Sequence, residues 1–102
     1  MIKLSHSTIN KKLKQLFIEK NIQYCEIRLK KCTGSYGLTY HHRWKRRFYN
    51  NRQELLWDFN HVVLICCNCH IILENDLNKS KDAFEKLRPN FDCTINKKTL
   101  TS

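Results

Sequence analysis

The run Val62-Val63-Leu64-Ile65-Cys66-Cys67-Asn68-Cys69-His70 joins a β-branched apolar segment directly to a cysteine pair with two intervening residues. Four consecutive apolar residues fit a strand buried on both faces. Cys66 and Cys69 have the spacing at which a tight turn lets two thiolates reach one tetrahedral zinc at about 2.3 Å. A second pair, Cys25 and Cys32, lies upstream and supplies the remaining two ligands once the chain folds back. Six residues separate that second pair, wider than the usual two to four, so it gains weight only from its match to the first. Buried free thiols are the alternative; in either case Cys67 and Cys93 are spare.

Composition narrows the setting. A chain of 102 residues with 41% apolar residues, two glycines and one proline is one ordered domain. A domain of this size buries only about 60–70% of its unfolded surface, so a bound metal would help it fold. The formal charge of +10 points to a polyanionic partner. Met1-Ile2-Lys3-Leu4-Ser5-His6 leads into lysines, not into the apolar core of a signal peptide. A reducing, cytoplasmic setting follows, in which thiols at zinc spacing are metal ligands more often than disulfides. No apolar stretch approaches the roughly 20 residues of a membrane span.

Moving outward, Ile9, Leu13, Leu16 and Phe17 recur at helical spacing and predict an amphipathic helix from Ser7 to about Lys20. Ser7 or Thr8 caps it and Asn21 ends it. Tyr24 to Leu29 reads as a short strand and Lys30 to Gly37 as a turn. Leu38 to His41 reads as a second strand, which delivers His41 and His42 into the basic run Arg43-Trp44-Lys45-Arg46-Arg47-Phe48-Tyr49, with Arg52 beyond. Arginines interleaved with aromatic residues suit nucleic acid: guanidinium groups fork onto phosphate, and rings stack on bases. A solvated charge run is the bland reading.

Leu56, Trp57 and Phe59 are core residues on a short helical turn. Cys69 to about Asn78 reads as a helix capped by Asn68, on which His70 and Glu74 share a face. Ser80 to Arg88 reads as a last helix, capped by Ser80 and stopped by Pro89. Beyond Asn90 a loose tail is expected, and His6 reads as an ordinary surface residue.

Taken together, Cys25-Glu26-Ile27, His41-His42, and Asn60-His61 through Cys69-His70 resemble the HNH nuclease family over roughly half the chain. The resemblance implies an α+β fold: a small ββα-metal core with a zinc knuckle at 24–78, flanked by an N-terminal helix within 1–23 and a C-terminal helix and tail at 79–102. It also implies two metals. One is a structural zinc held by Cys25, Cys32, Cys66 and Cys69; the other is a catalytic divalent ion on His41 and His70, whose shell Glu74, on the helix face of His70, would complete with waters, magnesium being the first choice and manganese or nickel the others.

In that reading His42 is the general base. The family's middle asparagine falls either on Asn60, one residue early, or on His61, which stands five residues before Cys66. Strict alternation sends His41 and His42 to opposite faces of a strand, so their convergence requires the strand to end or twist there. Arg43, Lys45, Arg46, Arg47 and Arg52 would contact nucleic acid. The implied activity is hydrolysis, by nicking, of DNA phosphodiester bonds, in a monomer or weak dimer. Stand-alone proteins of this kind are commonly phage or mobile-element products acting in a bacterial host. The rival readings are a zinc-stabilised nucleic-acid-binding module without catalysis and an RNA-cleaving enzyme.

Overall fold

The computed structural model describes residues 4–101; residues 1–3 and 102, including the Met1-Ile2-Lys3 start discussed above, lie outside the described residues. The architecture is α+β: a two-stranded antiparallel ribbon with helices on both faces. Strand β1 (Thr39–His42) pairs with β2 (Val62–Ile65) in the register Thr39↔Ile65, Tyr40↔Leu64, His41↔Val63 and His42↔Val62. Between them the chain makes three 3-10 turns, Arg46–Tyr49, Gln53–Trp57 and Phe59–His61.

Alternation along the ribbon sorts the core into two halves. Val62 and Leu64 face one cluster with Ile9, Leu13, Phe17, Tyr49, Leu55, Leu56 and Leu100. Val63 and Ile65 face the other, with Cys25, Cys66, Cys69, Leu73 and Phe84. Both faces of β2 are therefore covered, which is why its sequence is apolar without interruption.

Helix α1 (His6–Glu19) lays Ile9, Leu13 and Phe17 on the first core, and Phe17 sits 5.6 Å from Tyr40 and 5.7 Å from Phe59 between ring centroids. Each such side chain, fully buried, contributes about 1.5–3 kcal/mol. Its cap is Ser5, whose Oγ accepts the Thr8 amide at 3.2 Å, not Ser7 or Thr8. Asn21 does end it, in the left-handed region at φ 59°.

Residues 24–29 do not form the expected strand. Arg28 and Lys31 adopt positive φ and the Cys32 amide bonds back to the Leu29 carbonyl, because the chain must curl to bring Cys25 and Cys32 together. Glu26 pairs with the middle of the free edge of β2. Its amide donates to the Leu64 carbonyl at 2.9 Å, and its carboxylate accepts the Leu64 amide at 2.7 Å.

Helix α2 (Cys67–Asn75) is capped by Cys66, not by Asn68, and stops short of the expected Asn78. Asp76 adopts an extended conformation and accepts the amides of Asn78 and Lys79, each at 3.1 Å, so α3 (Leu77–Leu87) begins earlier than expected and Ser80 lies one turn inside it. Aspartate and serine are comparable caps, and Asp76 takes the role because it lies first in the chain with an extended backbone and a carboxylate that reaches both amides. The tail is also more ordered than expected: α4 (Lys97–Thr101) docks Leu100, 2% exposed, into the first core. No helix among the described residues is long and apolar enough to cross a membrane.

Arg88 closes the fold. Its guanidinium donates to the carbonyls of Phe59 and Val62 at 2.8 and 3.2 Å, and to Glu26 at 2.9 Å, with the Phe59 ring 3.7 Å away. Arg88→Met should strand the buried Glu26 carboxylate and destabilise the protein by about 3 kcal/mol, read as a lower urea midpoint at unchanged slope.

Candidate functional site: a thiol cage beside a histidine cleft

The loop before β1 and the turn after β2 place Cys25, Cys32, Cys66 and Cys69 with all four sulfurs within 4.8 Å of one another. Cys32 and Cys66 are 3.9 Å apart at Sγ, far beyond a disulfide and close to the edge of a tetrahedron with bonds of roughly 2.3 Å. Backbone amides aim at these sulfurs: Gly34 at Cys32, and Thr33 and Cys69 at Cys66, at 3.3–3.5 Å. Such N–H groups favour thiolate over thiol. Burial opposes ionisation of Cys66, yet the bonds from Thr33 and Cys69 outweigh it and bring that thiol down to about 5. Burial pushes Cys69 up, as expected where one thiolate suppresses its neighbour.

Four converging sulfurs, three of them fully buried, could hold a structural metal such as zinc. Cys67 and Cys93 are exposed and outside the cage. Cys67 instead packs on Gly37, where a Cβ would meet its Sγ at 2.9 Å and where φ is +64°, so that turn requires glycine.

Across the second core from the thiols, His41, His70 and Glu74 converge, with one donor atom from each within 4.8 Å of the others. His70 Nε2 lies 3.0 Å and His41 Nδ1 3.6 Å from Glu74 Oε1, and the imidazoles meet edge to face at 5.4 Å. The helical spacing of His70 and Glu74 sets one side of this group. Strand β1 supplies the other, since His41 stands on the α2/α3 face of the ribbon opposite Val63. His41 also bonds through Nε2 to Ser80 Oγ at 2.9 Å.

His42 lies on the opposite face, as strict alternation requires: β1 remains paired through His42 and does not twist to bring the two rings together. Its Nε2 is 2.8 Å from the Leu56 carbonyl. A carbonyl only accepts, so Nε2 carries the proton and Nδ1 the lone pair in the neutral ring. Burial holds the imidazoles of His41 and His42 down to about 4, His70 adding to the effect at His41 and Arg46 at His42.

The ribbon end opens into a cleft of about 530 Å³ whose wall includes His41, His42, His70, Glu74 and Ser80. Arg43, Lys45, Arg46 and Arg47 form its basic side. Arg43 stacks on Trp44 at 4.1 Å, and Arg47 and Lys97 flank the Phe48 ring at 5.0 and 4.8 Å. Arg52 stands apart, paired with Glu54 at 2.7 Å. Asn60 and His61 are outside the cleft wall too. His61 is buried, bonded to the Tyr49 hydroxyl at 3.0 Å and packed on Phe91 at 4.8 Å, while the Asn60 amide bonds to Asp58. His6 is exposed but engaged, 3.1 Å from Arg46.

Two cleft residues escape a sequence reading. Ser80 had one signal, a polar residue on the apolar stripe it shares with Ala83, Phe84 and Leu87. Lys97, delivered by α4, had none. No family model, curated protein or solved structure matches the chain.

Elemental analysis should find one tightly held zinc per chain, and Cys66→Ser should lose both the metal and cooperative unfolding. A second expectation concerns pH. His42 titrates near 6.5 unfolded and about 4 folded, so its contribution to stability is complete above pH 6.5 and is lost as pH falls towards 4. Compared with His42→Gln, which keeps a donor for Leu56 but does not titrate, the native chain should lose about 3 kcal/mol more stability between pH 7 and pH 4, measured by urea denaturation.

Proposed function

We propose that this chain is a metal-dependent endonuclease of the HNH type that hydrolyses DNA phosphodiester bonds. The observation that carries the reading is the meeting of His41, His70 and Glu74 in one cleft with His42 and a rim of arginines and lysines.

Phosphodiester hydrolysis needs a base for water, a counter-charge for the phosphate and stabilisation of the leaving oxygen. His42 suits the first role. With Nε2–H committed to the Leu56 carbonyl, the ring cannot exchange tautomers freely, and Nδ1 is left to accept a proton from water. The Leu56 carbonyl then stabilises the imidazolium as it forms. Arg43, Lys45, Arg46, Arg47 and Lys97 supply positive charge along the phosphate path, and Trp44 and Phe48 offer faces to sugars or bases.

A divalent ion held by His41, His70 and Glu74 would supply Lewis-acid stabilisation of the phosphate and leaving oxygen. Two imidazoles and one carboxylate suit manganese, nickel or zinc, and magnesium where waters complete the shell. His61 takes the middle place of the motif as a buttress: its carbonyl accepts the Arg43 amide at 2.9 Å and its ring holds Tyr49, fixing the chain just after the base.

One observation favours the rival reading of a zinc-stabilised binding module without hydrolysis. His42 is only 7% exposed, and that burial holds its imidazole down to about 4, below the range in which a general base is most effective at neutral pH. Conversion of supercoiled plasmid separates the two. The native protein should nick DNA with added manganese or magnesium and stop with chelator, while His42→Ala should bind DNA with the same salt dependence and cut at least about 100-fold more slowly. Binding without cutting by both proteins would favour the module. Cleavage confined to single-stranded RNA would instead change the substrate.

A further inference from the structure

We infer that Ser80 is a positioning residue that keeps Nδ1 of His41 available as a metal ligand, by accepting a hydrogen bond from the proton the ring must then carry on Nε2. The inference rests on reading His41, His70 and Glu74 as a metal site, and adds a residue from a third element, α3, to that site.

The geometry is specific. Ser80 is 2% exposed, and its Oγ lies 2.9 Å from His41 Nε2, while the other ring nitrogen, Nδ1, faces Glu74 at 3.6 Å. His41 is itself buried, with the Phe84 ring 6.0 Å from its own, and Ser80 is the hydrogen-bond partner its Nε2 has among the described residues. The placement is built in by the chain: Asp76 caps α3, the Ser80 amide bonds to the Asp76 carbonyl at 3.2 Å, and the first turn of α3 is thereby fixed above β1.

A neutral imidazole has two tautomers, and the environment of each nitrogen decides between them. With the proton on Nδ1, the ring turns its N–H towards the Glu74 carboxylate across 3.6 Å and accepts from Ser80 through Nε2. That form closes the site to His41, because a protonated Nδ1 has no lone pair with which to ligate. With the proton on Nε2, Ser80 accepts and both Nδ1 and Glu74 can hold an ion. A hydroxyl serves either arrangement, since it donates and accepts. Alanine serves neither, and the ligating form would then carry a buried N–H without an acceptor. The closed form would prevail, and metal would have to bind against it. Outer partners of metal-bound histidines typically change affinity about 10–100-fold when removed.

The test is manganese binding to the zinc-loaded protein, followed through the spin-resonance signal of free Mn²⁺. Manganese ranks low among divalent ions for thiolate sites and will leave the cage zinc in place. The native chain should bind one ion, His41→Ala none, and Ser80→Ala one ion about 10–100-fold more weakly, at unchanged zinc content and melting temperature. Restored affinity in Ser80→Thr would identify the hydroxyl as the cause. In parallel, nitrogen-15 spectra of the His41 ring, with zinc but no manganese, should show Ser80→Ala shifted towards the Nδ1–H form. Equal affinities for the native chain and Ser80→Ala, with the same ring tautomer in both, would overturn the role of Ser80 and leave the nuclease proposal standing. Absence of any saturable manganese site in the native chain would overturn this inference through the metal site itself, independently of any cleavage result.

Discussion

The double-sided burial of β2 is the constraint on which the rest of the structure depends. Val62 to Ile65 pair with β1 along one edge, accept Glu26 along the other, and pack a separate core against each face. A four-residue strand with one partner would not hold by itself in water. Here every surface of it is satisfied, and a shift by one residue would exchange the two cores. That fixed register sends His41 to the α2/α3 face and His42 to the α1 face, so the cleft inherits its geometry from the packing of Val62 and Val63.

The thiol cage and the histidine group share the helix that follows this strand. Cys66 caps α2 and Cys69 lies in its first turn, while His70 and Glu74 occupy the next positions along it. A metal held by the four sulfurs would anchor the N-terminal end of α2 to the loop at 25–34 and so fix where His70 points. The stability of the cage and the placement of the histidine group would then be coupled through one short helix. The buried Glu26–Arg88 pair acts on the other end of the second core, clamping the carbonyls of Phe59 and Val62 just before the strand.

Much of this was legible in the linear pattern. The knuckle spacing, the apolar run before it, the amphipathic stripe of α1 and the i,i+4 pair His70–Glu74 each follow from local geometry, and the structure contains each of them. What was misread has a separate physical cause in each case. Residues 24–29 have strand-like composition, but the demand that Cys25 and Cys32 meet bends them out of it. Ser80 looks like a cap, but Asp76 starts the helix one turn earlier, where its extended backbone lets the carboxylate accept two helix amides. The segment after Asn90 looks featureless because the value of Leu100 lies entirely in the core it enters.

The sequence by itself determined the composition of the site: which thiols stand at zinc spacing, which imidazoles stand near a basic run, and which strand carries them. Only the tertiary structure decided their relations. It put His41 and His42 on opposite faces because backbone pairing continues to the end of β1. It withdrew His61 into a contact with Tyr49 and Arg52 into a pair with Glu54, and brought Ser80 and Lys97 to a cleft far from them in sequence. Spacing along a chain constrains neighbours within a turn or two of helix. Contacts between residues 39 or 49 positions apart, as for Ser80 with His41 or Lys97 with Phe48, are set by how two cores pack across one strand.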